Sequence, residues 1–337
     1  MTLRRVLLLL ASIALGVVLV ALLIRVGKID LRLTLRQLKS VSPLAFAKLV
    51  LLNALLVYLS TAKWRSIDKA LRRPSDSVPS RVTSFAVSSA GMTLGLFLPV
   101  QLGMTAARTL GTYMHGRPIK RGTGGTLLEQ GFDVLVFFFL ALASGATWYW
   151  HGGAAFWTAS AFAVILLALL AVEPAIRSLR YIGTFYSSRT ERPRNRILLG
   201  LWELQQSTLL DTSLGRRLVL LSSIRFGVIV LMAFQTAQAV QAPISLWNMA
   251  AAMPFVGVAT IIALTPGGVG VNEWTSTSAL RIFGTPLTLA AQWSVANRVL
   301  ATASCFVVAA LAAALWAVEP ATTPTTRDAN TDSEQTN

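Results

Sequence analysis

Charge is what this sequence has least of. Asp, Glu, Lys and Arg make up 13% of its 337 residues, about half the roughly 25% of a soluble domain. The hydrophobic 54% is gathered into runs that approach the roughly 20 residues a spanning helix needs, so the chain reads as an integral membrane protein. Cysteine is nearly absent: Cys305 stands alone and excludes an intrachain disulfide. The two histidines, His115 and His151, have no metal-ligand neighbour at useful spacing, so neither a metal nor a cofactor is expected. No G-x-x-x-x-G-K-S/T run is present, which removes that route to ATP. Acidic residues number 14 against 30 basic ones, a net charge of +16. No nucleic-acid motif accompanies the excess, so it is read as basic loops facing anionic lipid rather than as nucleic-acid binding. Taken together, these absences make an enzyme unexpected.

Apolar segments fall near 6–24, 44–62, 82–98, 127–149, 154–172, 218–240, 248–265 and 287–317. The first has a basic start but an apolar run of about 19 residues, too long for a signal peptide, and is read as a retained helix. The tail 319–337 has little to bury and is expected to be disordered. Eight simple spans would alternate sides, and the basic residues disagree. The connections 63–81, 99–126 and 173–217 are rich in Lys and Arg, whereas 151–153 and 241–248 have none. The positive-inside rule puts the first three in the cytoplasm, with the N-terminus and the tail, in a cell inner (plasma) membrane. Segment 82–98 then begins and ends on one side, so 82–116 becomes a re-entrant hairpin, and 248–283 becomes a second. One conflict remains: the 25–43 connection, with Arg25, Lys28, Arg32, Arg36 and Lys39, is basic yet falls outside.

The two hairpin turns read "LPVQLGMTAAR" and "TPGGVGVNEW", both P-x-x-L/V-G, from Pro99 to Gly103 and from Pro266 to Gly270. Residues 1–150 run span, span, hairpin, span, and residues 154–318 repeat that order with reversed orientation. The expected fold is therefore an all-α polytopic membrane protein with about six spanning helices and two re-entrant hairpins in two inverted-topology repeats. Irregular backbone at membrane depth survives only where it is buried in protein or lines a wet cavity. Pro266 ends one limb, Gly267, Gly268 and Gly270 permit a tight turn, and the returning helix points its N-terminus inward. The competing reading is that the glycines simply let helices pack closely.

Ionisable groups at bilayer depth cost about 2.5–3.5 kcal/mol each, so they face a partner or water. The candidates are Arg108 and Glu273 on the returning limbs, Glu129 and Asp133 one turn apart on the next span, Arg225, and Arg298 in "QWSVANRVL". Arg108, Glu273 and Arg298 are expected at the site, because an arginine fork suits a phosphate headgroup. Glu129 and Asp133 share a helix face. Arg225, seven or eight residues into its segment, is expected to snorkel to the surface. The alternative for each arginine is a pin between two helices.

"LTPGGVGVNEW" with the following "ANRVLAT", and "LGLFLPVQLGMTAARTLGTYM" followed by "LLEQGFDVLVFF", resemble the two signatures of the lysylphosphatidylglycerol synthase transmembrane region, or flippase-like domain family. The resemblance covers roughly 40–318. It departs from the family pattern at Gln101 and Met104, while Arg108, Glu129 and Asp133 fit. Synthases of that family transfer an amino acid to phosphatidylglycerol in a soluble domain, and their membrane portion moves the product across. The resemblance therefore implies flipping without synthesis here, and it does not carry a particular lipid with it.

The expected function is a lipid flippase or scramblase for an anionic or phosphate-linked lipid, working through a cleft between the two repeats. A second reading is a non-catalytic membrane subunit that presents lipid to a separate lipid-modifying transferase, with "RILLGLWELQQSTLL" as a docking helix. A third is an ion-coupled transporter of a small solute.

Overall fold

The computed structural model describes residues 3–71, 79–115, 118–187, 211–263 and 265–319. All regular structure among them is helical. In chain order the helices are α1 (Leu3–Val26), α2 (Leu31–Lys39), α3 (Pro43–Ala70), α4 (Arg81–Phe97), α5 (Val100–Met114), α6 (Ile119–Tyr149), α7 (Ala154–Ser187), α8 (Thr212–Ala239), α9 (Leu246–Ile262), α10 (Val271–Ile282) and α11 (Leu287–Val318). A 3-10 turn, Pro266–Gly268, joins α9 to α10. The proposed docking helix at 196–210 and nearly all of the tail lie outside the described residues.

Five helices, α3, α6, α7, α8 and α11, are long and apolar enough to cross a membrane, and α1 with α2 makes a sixth candidate bent by 100°. Their outward faces are apolar. Only 17% of the best window of α7 is buried, and Phe162, Leu167 and Leu170 are exposed on it. In water such a surface would be a penalty, but in hydrocarbon it is the solvated face. The protein is a multi-pass membrane protein.

Small residues and hydroxyls face inward. Buried Ser84, Ser88, Thr112, Thr126, Ser144, Thr147, Ser222 and Thr236 sit on helices whose outer faces carry Leu and Phe. Several close on a carbonyl one turn back, as Thr126 does on Gly122 (2.8 Å) and Thr112 on Arg108 (2.7 Å). A hydroxyl satisfied within its own helix leaves the surrounding backbone free to approach a neighbour.

The breaks at Leu98–Pro99 and Ala263–Val269 fold two pairs of short helices into antiparallel hairpins. In the first, Gly95 stands against Gly103, Gly91 against Met104 and Ala107, and Val87 against Gly111. A Cβ on Gly103 would lie 2.7 Å from the Gly95 Cα, so the close-packing reading accounts for that glycine. In the second, the Thr260 hydroxyl donates to Asn272 Oδ1 (3.0 Å) and Asn248 donates to Thr285 (3.3 Å). The hairpins open toward opposite ends of the bundle. The start of α4 is tied to the ends of α3 and α11, through Arg65 to Ser80 and Thr83 to Glu319. The start of α9 packs where α7 and α11 begin, around Trp157 and Trp247. Their tips meet: the Gly267 N–H donates to the Leu98 carbonyl at 2.9 Å.

The packing pattern occurs twice. α3 packs on α8, and each remaining contact of the first set (α4 with α5, α5 with α6, α4 with α11, α3 with α4, α6 and α11) has its counterpart among α6, α8, α9, α10 and α11. The first helix of each half departs from this: α1 lies on α10 and the 3-10 turn, α7 on α6 and α8.

Gly103→Val should lower the unfolding temperature of the detergent-purified protein, since overpacking against backbone costs about 1–3 kcal/mol. Gly124→Ala, on α6 with no atom within 4 Å of the new Cβ, should leave it unchanged or raise it by a degree or two, as helix propensity gains under about 1 kcal/mol.

Candidate functional site

A cavity of about 300 Å³ lies where the two hairpins and the long helices converge. Its charged wall consists of Glu129 and Asp133 from α6, Arg225 from α8 and Arg298 from α11. Around them stand Asn53 and Ser60 from α3, Gln101 and Gln130, and Gly267 and Asn272 from the second hairpin. Methionines 92, 104, 232 and 253 complete the apolar part.

Two ionic networks back this wall. In the first, Arg108, fully buried on α5, pairs with Glu129. It also donates through Nη2 to the Ser60 carbonyl (3.1 Å) and hydroxyl (3.0 Å), and its guanidinium lies 5.3 Å from the Trp64 ring centre. Ser60 in turn donates to Glu129 Oε1 at 2.8 Å. Lys63, also fully buried, reaches Asp133 at 2.5 Å and Glu129 at 3.5 Å. Arg225 reaches the other oxygen of Asp133 at 2.9 Å. Four helices are tied by five charges.

The second network holds the broken backbone. Glu273 is the third residue of α10, and its Oε2 accepts from the Gly270 N–H at 2.6 Å, capping the helix start. Its Oε1 accepts from Arg298 Nε at 2.5 Å. Arg298 Nη1 donates to the Gly267 carbonyl at 2.8 Å, so one arginine clamps both the turn and the helix it launches. Gly267, Gly268 and Gly270 have φ of +60°, +66° and +82°, a region that residues with a Cβ enter at a cost. The link from a hairpin's second limb to the next long helix is thus ionic in both halves, with the signs exchanged: Arg108 to Glu129, Glu273 to Arg298.

The sequence-derived candidates divide accordingly. Glu129, Asp133, Arg298 and Gly267 line the cavity. Arg108 and Glu273 stand behind it and hold the lining residues, rather than converging on its centre. Pro99, Gly103, Pro266, Gly268 and Gly270 shape the turns and do not line it. Arg225 does not snorkel to a surface but turns inward to Asp133. Lys63 is not among the sequence-derived candidates, because the charge pattern places it in the basic 63–81 connection. α3 continues through Ala70, and its buried side chain faces Asp133. The signal available was its place in an unbroken apolar helix pattern, ten residues after Asn53 and three after Ser60.

The networks hold four cations, Lys63, Arg108, Arg225 and Arg298, against three carboxylates, Glu129, Asp133 and Glu273. One positive charge is left over, in the network of Lys63, Arg108 and Arg225 with Glu129 and Asp133. Two N–H groups on cavity-facing arginines, Arg225 Nε and Arg298 Nη2, are buried without a partner, as is Asn53 Oδ1. A buried donor without a partner carries a desolvation cost that an acceptor group would relieve.

Fold and site define a class: an all-helical membrane protein with an ionic cavity at the meeting point of two broken helix pairs. The chain matches the family described as the lysylphosphatidylglycerol synthase TM region over residues 9–318, and it belongs to that family. No curated protein and no solved structure matches it.

Asp133→Ala should lower stability by about 3–5 kcal/mol, because it takes the nearest carboxylate from buried Lys63, which keeps only Glu129 at 3.5 Å, and the partner from Arg225. The double variant Lys63→Met with Asp133→Leu should recover part of that loss, since Lys63 is no longer a buried cation while Arg225 still lacks its carboxylate. Thermal unfolding of the three proteins in one detergent measures both.

Proposed function

We propose that the protein moves an anionic, phosphate-bearing lipid between leaflets, with the cavity receiving the headgroup. The observation that carries this reading is the surplus positive charge of the network backing the cavity, together with a buried, unpartnered N–H group on each of the two arginines that line it. A phosphodiester brings one negative charge and the acceptor oxygens those donors lack. A cavity of about 300 Å³ stands at the small end of ligand pockets, roughly 300–1,000 Å³. It takes a headgroup and not two acyl chains, so the chains stay in the bilayer while the headgroup crosses. This role needs no bond made or broken by the chain.

In this reading the twofold packing pattern is an inverted-topology repeat, residues 1–150 and 154–318, and the hairpins are re-entrant from opposite faces. The paired tips at Leu98 and Gly267 then lie at membrane depth, where headgroup passage is hardest. Gln101, beside one tip, and Gly267, in the other, both reach the cavity. The bundle end that carries Arg65, Lys69, Lys120, Arg121, Arg216 and Arg217 is the cytoplasmic one, in a plasma membrane. α1 begins and α11 ends there.

The test is leaflet exchange in proteoliposomes containing fluorescent phosphatidylglycerol, read by quenching the outer label. Wild type should exchange it faster than empty liposomes. Arg298→Gln and Arg225→Gln, checked for folding by thermal unfolding, should each lose at least tenfold in rate. Folded variants with unchanged exchange would contradict the reading. Exchange that requires an added lipid-modifying transferase would favour the lipid-presenting subunit instead.

A further inference from the structure

The bundle has two ends, and their basic residues are distributed differently. At the end formed by the turns around 27–42, 150–153, 240–245 and 284–286, the described cations outside α2 and its flanks are Lys48 and Arg281. The rest, Arg25, Lys28, Arg32, Arg36 and Lys39, are gathered within fifteen residues. This is the segment that conflicted with the positive-inside pattern.

The structure gives that segment a specific form. α2 turns 100° away from α1, so it runs across the bundle end instead of along the membrane normal. The turn is fixed: Gly27 lies against Ala291, and the Asp30 side chain accepts from the Arg32 and Leu33 N–H groups at 2.8 and 3.0 Å. The one acidic residue of the segment is thereby occupied in capping α2. Thr34 is buried and Leu38 packs on the main core, which fixes the helix's rotation. Arg32, Arg36 and Lys39 form an exposed strip at i, i+4 and i+7. Leu31 and Leu35, 54% and 53% exposed, form a second strip between the basic one and the protein. A basic strip beside an open leucine strip, on a helix lying across a membrane protein's end, is the pattern of an interfacial helix.

We propose that α2 lies in the headgroup layer of one leaflet and gathers anionic lipid there, its leucines in the acyl boundary and Arg32, Arg36 and Lys39 on the phosphates. Charge complementarity selects the occupant, because the segment's single carboxylate is already committed to the cap. The proposal does not depend on lipid being transported. It explains how this end tolerates five clustered cations: they sit on a lipid-binding surface and not in a free loop.

The test uses the full chain in nanodiscs containing equal phosphatidylglycerol and phosphatidylcholine. Spin-labelled versions of each lipid report their relative association with the protein. Wild type should prefer phosphatidylglycerol several-fold at low salt. Arg32→Gln/Arg36→Gln/Lys39→Gln, all exposed positions, should bring that preference close to parity. In a Cys305→Ala background, a label at Leu35→Cys should be reached by oxygen more than by a water-soluble nickel chelate, and one at Arg36→Cys the reverse. Unchanged lipid preference in the triple variant would overturn the proposal. So would a water-exposed label at Leu35, which would point instead to an acidic soluble partner.

Discussion

Everything in this molecule's interior follows from one constraint: lipid solvates no charge, so each buried ion must find its partner within the protein. Arg108 shows how far that reaches. Its guanidinium is fully buried on a helix of the first hairpin, and it is held by Glu129 of α6, by the backbone and hydroxyl of Ser60 on α3, and by the face of Trp64. A side chain with those partners fixes three helices relative to one another. Lys63, Asp133 and Arg225 extend the same network to α8. Apolar packing alone separates helices weakly in a membrane, because lipid tails are as apolar as leucine. The ionic network therefore sets the geometry that the small residues then tighten.

The same constraint explains the broken backbone. A helix interrupted at Pro266 exposes carbonyl and N–H groups that hydrocarbon would leave unsatisfied. Arg298 takes the Gly267 carbonyl, Glu273 takes the Gly270 N–H, and the Gly267 N–H reaches across to Leu98 of the other hairpin. Each break is thus sealed by groups from outside it, and only then can its neighbourhood remain open as a cavity. The charge that completes the seal is also the charge that lines the wall, since Arg298 does both.

Much of this was legible in the residues. Two P-x-x-L/V-G turns, each followed by a charged residue on a short helical limb, placed both hairpins to within a few residues. Glu273, Arg298, Glu129 and Asp133 stood out because ionisable groups at such positions are rare. Pairing was not legible. Nothing in the sequence shows that Arg108 meets Glu129 or that Arg225 turns inward to Asp133, because those contacts join helices far apart along the chain. Lys63 was hidden for a different reason: it lies near the end of an apolar run, where a basic residue resembles the start of a loop. The course of α2 was hidden too, since its nine residues are too few to show their direction relative to α1.

An ionic network that holds one more cation than carboxylate, with buried, unpartnered N–H groups on two arginines that line the cavity, is the feature the lipid-transport account rests on. The most direct test is an experimental structure of the protein in a bilayer of anionic lipid. The account predicts phosphate density within hydrogen-bonding distance of Arg225 and Arg298, with the acyl chains outside the cavity. A cavity holding only water, with every anionic headgroup at the membrane surface, would contradict it.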